Sequence, residues 1–237
     1  MNLQALIFDV DGTLAETERD GHRPAFNAAF DELGLQWHWD EKLYGELLRI
    51  TGGKERMRHY AALHDPAFLM GPYASQGIQR LHAAKTRHYL QRVAAGLPLR
   101  PGIAEILALA RHSGLRLAIA TTTSPENVHE LLVNTLGAES LAWFEVIGAG
   151  DVVAAKKPAP DIYQWVLQGL DLPAAAALAI EDSAPGLLAA RAAGIATLVT
   201  PSDYTRDHDF AGASACLQNL AGISLADLQR IHGCRSN

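Results

Sequence analysis

The sequence predicts an α/β fold: a doubly wound, Rossmann-like parallel sheet interrupted near its start by an all-helical insert. Three observations predict it. Short apolar runs alternate with helical segments from residue 103 onward, which implies right-handed βαβ crossovers and a sheet covered on both faces. A bulky run of the same kind, Leu3 followed by Ala5, Leu6, Ile7 and Phe8, opens the chain, so one strand precedes the helices. Between them, residues 15–95 contain no convincing strand. With 237 residues and 49% hydrophobic content, the chain can bury one large core or two modest ones.

The first strand ends abruptly in Asp9-Val10-Asp11-Gly12-Thr13. In an extended segment residues i and i+2 project to one side, so both acids could address one ion or one substrate. In open α/β sheets the carboxyl ends of the strands are where ligands bind. These residues alone leave an Asp-Gly turn closing an edge hairpin equally open.

The insert shows helical spacing at Ala25, Phe26, Ala29, Phe30 and Leu33, with Gly34 as a C-terminal stop. A second pattern runs through Tyr44, Leu47, Leu48 and Ile50 into Thr51-Gly52-Gly53-Lys54. A long third one covers Ile78, Leu81, His82, Lys85, Tyr89, Leu90 and Val93. The Gly52-Gly53 break, flanked by Arg49, Lys54 and Arg56, crowds backbone amides and cations together; it reads as an anion site or as a solvated turn. Residues 96–102 are rich in helix breakers and return the chain to the sheet. The expected domains are therefore 1–15 plus 96–237 for the α/β core and 16–95 for the helical insert.

In the second half a helix over 103–112 precedes a strand over 115–120, and the next helix begins near Ser124-Pro125. A strand over 144–147, a helix over 160–170, a strand over 177–180, a helix over 187–193 and a strand over 196–199 follow. A short strand at 215–216 and a helix over 225–231 close the chain.

Three of these strand ends carry polar residues like the first. The strand over 115–120 runs into Thr121-Thr122-Thr123-Ser124-Pro125, with Ser124 placed to cap and Pro125 at the first helical position. Hydroxyls, free amides and the helix dipole suit a phosphate, and simple capping explains the same residues. Lys157 precedes Pro158, which restricts its backbone, although Lys156 beside it is a rival and an exposed loop lysine is the ordinary alternative. The strand over 177–180 runs into Glu181-Asp182-Ser183, two acids that are costly to bury unless paired or metal-bound. A single parallel sheet gathers these four ends on one rim. Hard oxygen ligands there select Mg²⁺, usually shared with a substrate phosphate. A carboxylate nucleophile, a neighbouring acid/base, a lysine and Mg²⁺ together call for phosphoryl transfer.

The net charge of −6, with basic residues scattered, argues against a nucleic-acid partner. No apolar run reaches membrane length, and the chain enters its first strand too early for a signal peptide. Cys216 and Cys234 lack metal-site spacing and read as thiols in a reducing compartment. A cytoplasmic monomer acting on a small molecule is expected, with no nucleic-acid or membrane partner.

At this point the chain resembles the haloacid dehalogenase superfamily, whose four motifs occur in order: Asp9-Val-Asp11-Gly-Thr13, Thr121, Lys157 and Glu181-Asp182. A helical cap inserted directly after the first motif is the arrangement of its β-phosphoglucomutase-like subfamily. Ala15-Glu16-Thr17-Glu18, Ala25-Phe26-Asn27, Thr51-Gly52-Gly53-Lys54-Glu55-Arg56 and Lys157-Pro-Ala-Pro-Asp161 look most like CbbY-type sugar phosphatases. The resemblance implies a nucleophile at Asp9 and a proton shuttle at Asp11. It implies Mg²⁺ held by Asp9, the Asp11 carbonyl and Asp182, with Glu181 nearby. Thr121 and Lys157, with Thr122 and Thr123 beside them, would bind phosphoryl oxygens. The implied substrate is xylulose 1,5-bisphosphate, a Rubisco misfire product, read by Glu18, Tyr44, Arg49, Gly53, Lys54 and Lys85 of the cap. Two departures stand out. The chain carries one extra residue between Glu18 and His22 (Arg19-Asp20-Gly21), and Ser124-Pro125 replaces the Lys-Asn of related mutases. The second departure disfavours a mutase. A β-phosphoglucomutase-like phosphotransferase remains the rival enzyme, and a non-catalytic sugar-phosphate sensor the rival from outside enzymology. A dehalogenase would lack an acid at Asp11, and a phosphonate hydrolase would need a cap lysine such as Lys54 or Lys85.

Overall fold

The structure, a computed structural model, describes residues 2–70 and 74–234. Residues 1, 71–73 and 235–237, which the expected domains include, lie outside the described residues. Contacts divide the chain into a core unit, 1–16 with 98–237, and a helical unit, 17–97.

The core unit is a six-stranded, wholly parallel sheet in the order β3-β2-β1-β4-β5-β6, built from β1 (Ala5–Phe8), β2 (Arg116–Ala120), β3 (Phe144–Gly148), β4 (Ala177–Glu181), β5 (Ala196–Val199) and β6 (Ala215–Cys216). The central strands read as continuous apolar runs because both faces are covered. On one face Ala118, Ala120, Ala177 and Ala179 present small side chains. Ile162, Tyr163 and Val166 of α8 (Asp161–Gly169) and Ala189 and Ala190 of α9 (Ala184–Ala192) pack against them. Alternation turns the larger Leu6, Phe8, Ile119 and Ile180 to the other face, where they are fully buried. α6 (Ile103–His112) and α7 (Pro125–Leu136) follow and precede strands as the crossovers require, and α10 (Leu225–Gly233) ends the unit.

Local chemistry sets the helix starts. Ser124 and Ser183 accept hydrogen bonds from the backbone amides of Asn127 and Gly186, with proline in the first turn each time. Ser224 and Asp227 form a reciprocal capping box on α10. α9 begins three residues before its expected start, because the Ser183 cap and Pro185 start the helix ahead of its first apolar residue, Leu187. Glu181 is the last residue of β4 rather than the first beyond it.

The helical unit contains α1 (Arg23–Glu32), α2 (Glu41–Leu47), α3 (Gly53–His64), the short α4 (Pro66–Leu69) and α5 (Ala74–Ala94). Its core is aromatic: Phe26, Phe30, Trp37, Trp39, Tyr44 and Tyr60 form a chain of contacts with centroids 4.7–6.1 Å apart. The Asn27 side chain pins Trp39 by accepting from its backbone amide at 2.8 Å and donating to its carbonyl at 2.9 Å. Residues Glu18–His22 form a π-helical turn, which closes i→i+5 hydrogen bonds and leads into α1. His22 is buried, stacked on Tyr89 at 4.1 Å.

Candidate active site

β1 delivers the first functional group. Phe8 lies in register with Ile119 of β2 and Ile180 of β4, so Asp9 and Glu181 fall on one row and Thr121 one residue further along, all at the carboxyl ends of three adjacent strands. The Asp9 amide donates to the Ile180 carbonyl at 3.0 Å, which extends the ladder to the site itself. Gly12 then turns the chain with φ 79°, a conformation that glycine adopts at low cost.

Lys157, on the loop between β3 and α8, follows a different route to the same place. Its Nζ donates to Asp9 Oδ1 at 2.6 Å and to Glu181 Oε1 at 2.6 Å, and its peptide to Pro158 is cis. Tyr163, in the first turn of α8, donates its hydroxyl to the same Glu181 oxygen and places its ring 5.2 Å from Nζ. Asp182 completes the group: Asp9, Glu181 and Asp182 each offer an oxygen within 4.8 Å of the others, and all three are buried. Asp182 accepts from Thr205 Oγ1 at 3.4 Å, and Ser202 lies 3.0 Å from that hydroxyl.

Crowding three carboxylates in a dry site shifts their chemistry. Burial pushes Asp9 up to about 7 against the opposing pull of Lys157, with Glu181 and Asp11 adding to the rise. Burial, then Asp9 and Glu181, hold Asp182 well above its ordinary value. For Lys157 burial works against the charge, but the two carboxylates bonded to it outweigh burial and raise its pKa. Burial also raises Tyr163, so it stays a neutral donor. Ionising all three acids would set three negative charges against the one ammonium of Lys157, a deficit that a cation would offset. Glu181 Oε2 is buried without a partner. An all-oxygen set with that deficit and an unsatisfied oxygen fits a hard divalent cation.

The remaining expected site residues sort clearly. Thr121 is buried, and its hydroxyl accepts from the Thr123 amide at 3.4 Å; Thr122 is half-buried. The Thr123 hydroxyl accepts from Asn127 at 3.0 Å, a contact within the helix start. Asp11 is half-buried on the turn and lies outside the three-carboxylate group, yet its charge reaches Asp9. In the helical unit Tyr44 is buried and donates to Glu18, while Arg56 donates to the Tyr44 hydroxyl at 3.0 Å and to the Leu47 carbonyl at 3.2 Å. Arg56 is therefore a buried tie rather than one of the cations crowding the Gly52-Gly53 break. Lys85 is buried, 2.7 Å from His22 Nδ1. Arg49 is exposed, and Gly53 and Lys54 are half-buried at the start of α3.

Sequence reasoning missed Tyr163, Ser202 and Thr205. Tyr163 is a buried residue of an apolar helix face, where its hydroxyl gives no signal of its own, and the other two lie after Thr200, where the sequence has no clear periodicity. Neither cysteine is bonded, and no helix among the described residues is long and apolar enough to cross a membrane.

Comparison with known proteins gives the geometry relatives. The model of the haloacid dehalogenase-like hydrolases matches residues 3–194. The plasmid CbbY protein of Cupriavidus necator is 54% identical over 219 residues, covering 92% of this chain and 86% of that protein. A crystal structure of a CbbY mutant from Rhodobacter sphaeroides in complex with xylulose-(1,5)bisphosphate superposes with TM-score 0.89 at 47% identity, over 96% of this chain and 99% of the other. A β-phosphoglucomutase from Clostridium difficile shares the fold, with TM-score 0.79 at 16% identity over 98% and 97% of the two chains.

Proposed function

The chain belongs to the haloacid dehalogenase-like hydrolase family, and we propose that it is a Mg²⁺-dependent phosphatase that hydrolyses xylulose 1,5-bisphosphate through an aspartyl phosphate. The observation that carries the chemistry is the Lys157 bridge between Asp9 and Glu181 at 2.6 Å each, beside Asp182. What supports the substrate is the 47% identity to a CbbY protein crystallised with that sugar bisphosphate.

Asp9 attacks the phosphorus and takes the phosphoryl group as the bond to the sugar oxygen breaks. Asp11 gives that leaving oxygen its proton. It then accepts a proton from the water that cleaves the aspartyl phosphate, returning both acids to their starting state. Lys157 and Thr121 bind phosphoryl oxygens, and the lysine also keeps the carboxylates compatible with an incoming anion. Asp9, the Asp11 carbonyl and Asp182, with Glu181 beside them, would hold Mg²⁺, which would supply charge neutralisation for the phosphoryl group. Glu18, Tyr44, Arg49, Gly53, Lys54 and Lys85 of the helical unit are the residues assigned to selecting the sugar and its second phosphate.

A phosphate-release screen over pentulose bisphosphates, hexose phosphates and small phosphate esters, with and without Mg²⁺, tests this reading. Highest kcat/KM on xylulose 1,5-bisphosphate with Mg²⁺ present is expected. Turnover of β-glucose 1-phosphate to a hexose bisphosphate or a second monophosphate would make the chain a phosphotransferase. Tight sugar-phosphate binding with no release on any ester would make it a sensor.

A further inference from the structure

Arg100 lies on the return segment of the core unit, and its side chain is only 9% exposed. Its backbone amide donates to the Leu14 carbonyl at 2.8 Å, and Leu99 pairs antiparallel with Ala15. Its guanidinium has no acid of the metal group for a partner. Instead Nη1 donates to the carbonyl of Gly12 and, at 2.7 Å, to that of Thr200, while Nη2 donates to the Pro201 carbonyl at 2.7 Å. Nε stands 3.2 Å from Glu16 Oε1. One planar fork thus satisfies carbonyls on two separate loops, one leaving β1 and the other leaving β5.

Each of those loops adjoins the site. Gly12 follows Asp11. Its backbone is pressed against Asp182: a Cβ added there would lie 2.3 Å from Asp182 Oδ2 and 3.1 Å from Ser202 Cβ. Pro201 precedes Ser202, which with Thr205 supports the Asp182 carboxylate. The two loops meet across that carboxylate, and Arg100 is the group that holds both.

We propose that Arg100 is a positioning residue of the phosphoryl-transfer site, clamping the loop that carries Asp11 to the loop that supports Asp182. The proposal rests on the phosphatase reading given above. A lysine keeps the positive charge but offers one nitrogen where Arg100 offers three, so it cannot span both loops and Glu16 together. Removing the fork leaves the Gly12, Thr200 and Pro201 carbonyls short of a donor and frees Gly12 to move against Asp182.

The test compares Arg100→Met and Arg100→Lys with the wild type, using p-nitrophenyl phosphate turnover and calorimetric titration with Mg²⁺ alone. Loss of supporting contacts around a metal site costs about 10–100-fold in affinity or activity. In Arg100→Met we expect a fall of that size in kcat with KM within about threefold, and Mg²⁺ binding weakened by about tenfold. Arg100→Lys should recover only part of each. A residue that merely stabilises the fold would lower Tm while leaving kcat and Mg²⁺ affinity per folded molecule unchanged, and that result overturns the proposal. If Arg100→Met does not fold, Arg100→Lys carries the same two measurements. If the wild type releases phosphate from no ester, the phosphatase reading fails separately. The Mg²⁺ titration then decides alone: equal affinity in wild type and Arg100→Lys, or no Mg²⁺ binding by either, overturns the clamp, and weaker binding by the lysine variant supports it.

Discussion

Lys157 Nζ donates to Asp9 Oδ1 at 2.6 Å although 148 residues separate the two in the chain. The pair exists because β1 and the loop after β3 end on the same rim of one parallel sheet. Both groups are buried, and the lysine also serves Glu181. Neither partner is tolerable there alone, since an isolated ion in such a place loses its hydration without recompense.

Replacing Lys157 by methionine fills the volume and removes the charge. Asp9 and Glu181 are then left as uncompensated buried acids, a situation that costs about 3–5 kcal/mol when one partner of a buried pair is deleted. The expected result is a markedly lower urea midpoint together with loss of turnover on any phosphate ester. Stability equal to wild type in Lys157→Met would mean that the pair contributes no net stabilisation.

Asp9→Asn should abolish turnover, because an amide is a far poorer nucleophile than a carboxylate, and it should also change the pH dependence of stability. Asp9 titrates near 3.8 unfolded and near 7 folded. Between those values the folded protein keeps a proton that the unfolded chain has released, so this group's contribution falls as pH rises through the window and levels off above about 7. The amide of the variant does not titrate. In metal-free buffer, Tm of the variant relative to wild type should therefore rise from pH 4.5 to 7.5. A flat difference would remove the raised Asp9 from the account. Adding MgCl₂ above pH 7 should stabilise the wild type and leave the variant nearly unmoved.

Much of this site was legible in the sequence for one physical reason. A strand buried on both faces must be apolar, so Asp9, Thr121 and the Glu181-Asp182 pair stood out as polar residues where apolar runs stop. Helix 103–112 was legible to the residue from its helical spacing of apolar positions, and strand 196–199 from its short apolar run. What stayed hidden lacked a period. Trp37 and Trp39 sit between helices and are buried by ring contacts and by the Asn27 side chain, not by an amphipathic pattern. Arg100, Ser202 and Thr205 act on backbone and carboxylate from loops, where residue type carries no register.

Gly186, in the first turn of α9, is a spatial requirement. A Cβ there would lie 1.9 Å from Glu181 Oε2 and 2.1 Å from its carboxyl carbon, in a space closed by Tyr163 and Lys157 on the other oxygen. Gly186→Ala should cost about 1–3 kcal/mol through overpacking and should lower kcat, since Glu181 can yield only by displacing Lys157. Gly233→Ala, which meets nothing within 4 Å, should stay within about 0.5 kcal/mol of wild type. Equal Tm values for the two alanine variants would refute the packing argument.

The two arginines flanking the Gly52-Gly53 break should separate cleanly. Arg56 is buried, donates to the Leu47 carbonyl and the Tyr44 hydroxyl, and stands 3.9 Å from Glu18. Arg49 is exposed on the last turn after α2. Arg56→Met strips donors from a buried carbonyl and leaves Glu18 without its cation, a loss of about 1–3 kcal/mol for each unsatisfied buried group. Its first effect should be a lower Tm. Arg49→Met should leave Tm within a degree or two, because exposed charges contribute little to stability, and should raise KM for a sugar bisphosphate while sparing p-nitrophenyl phosphate, which has no second anion to hold. If Arg49→Met changes neither KM, the break is a solvated turn and the second phosphate is held elsewhere.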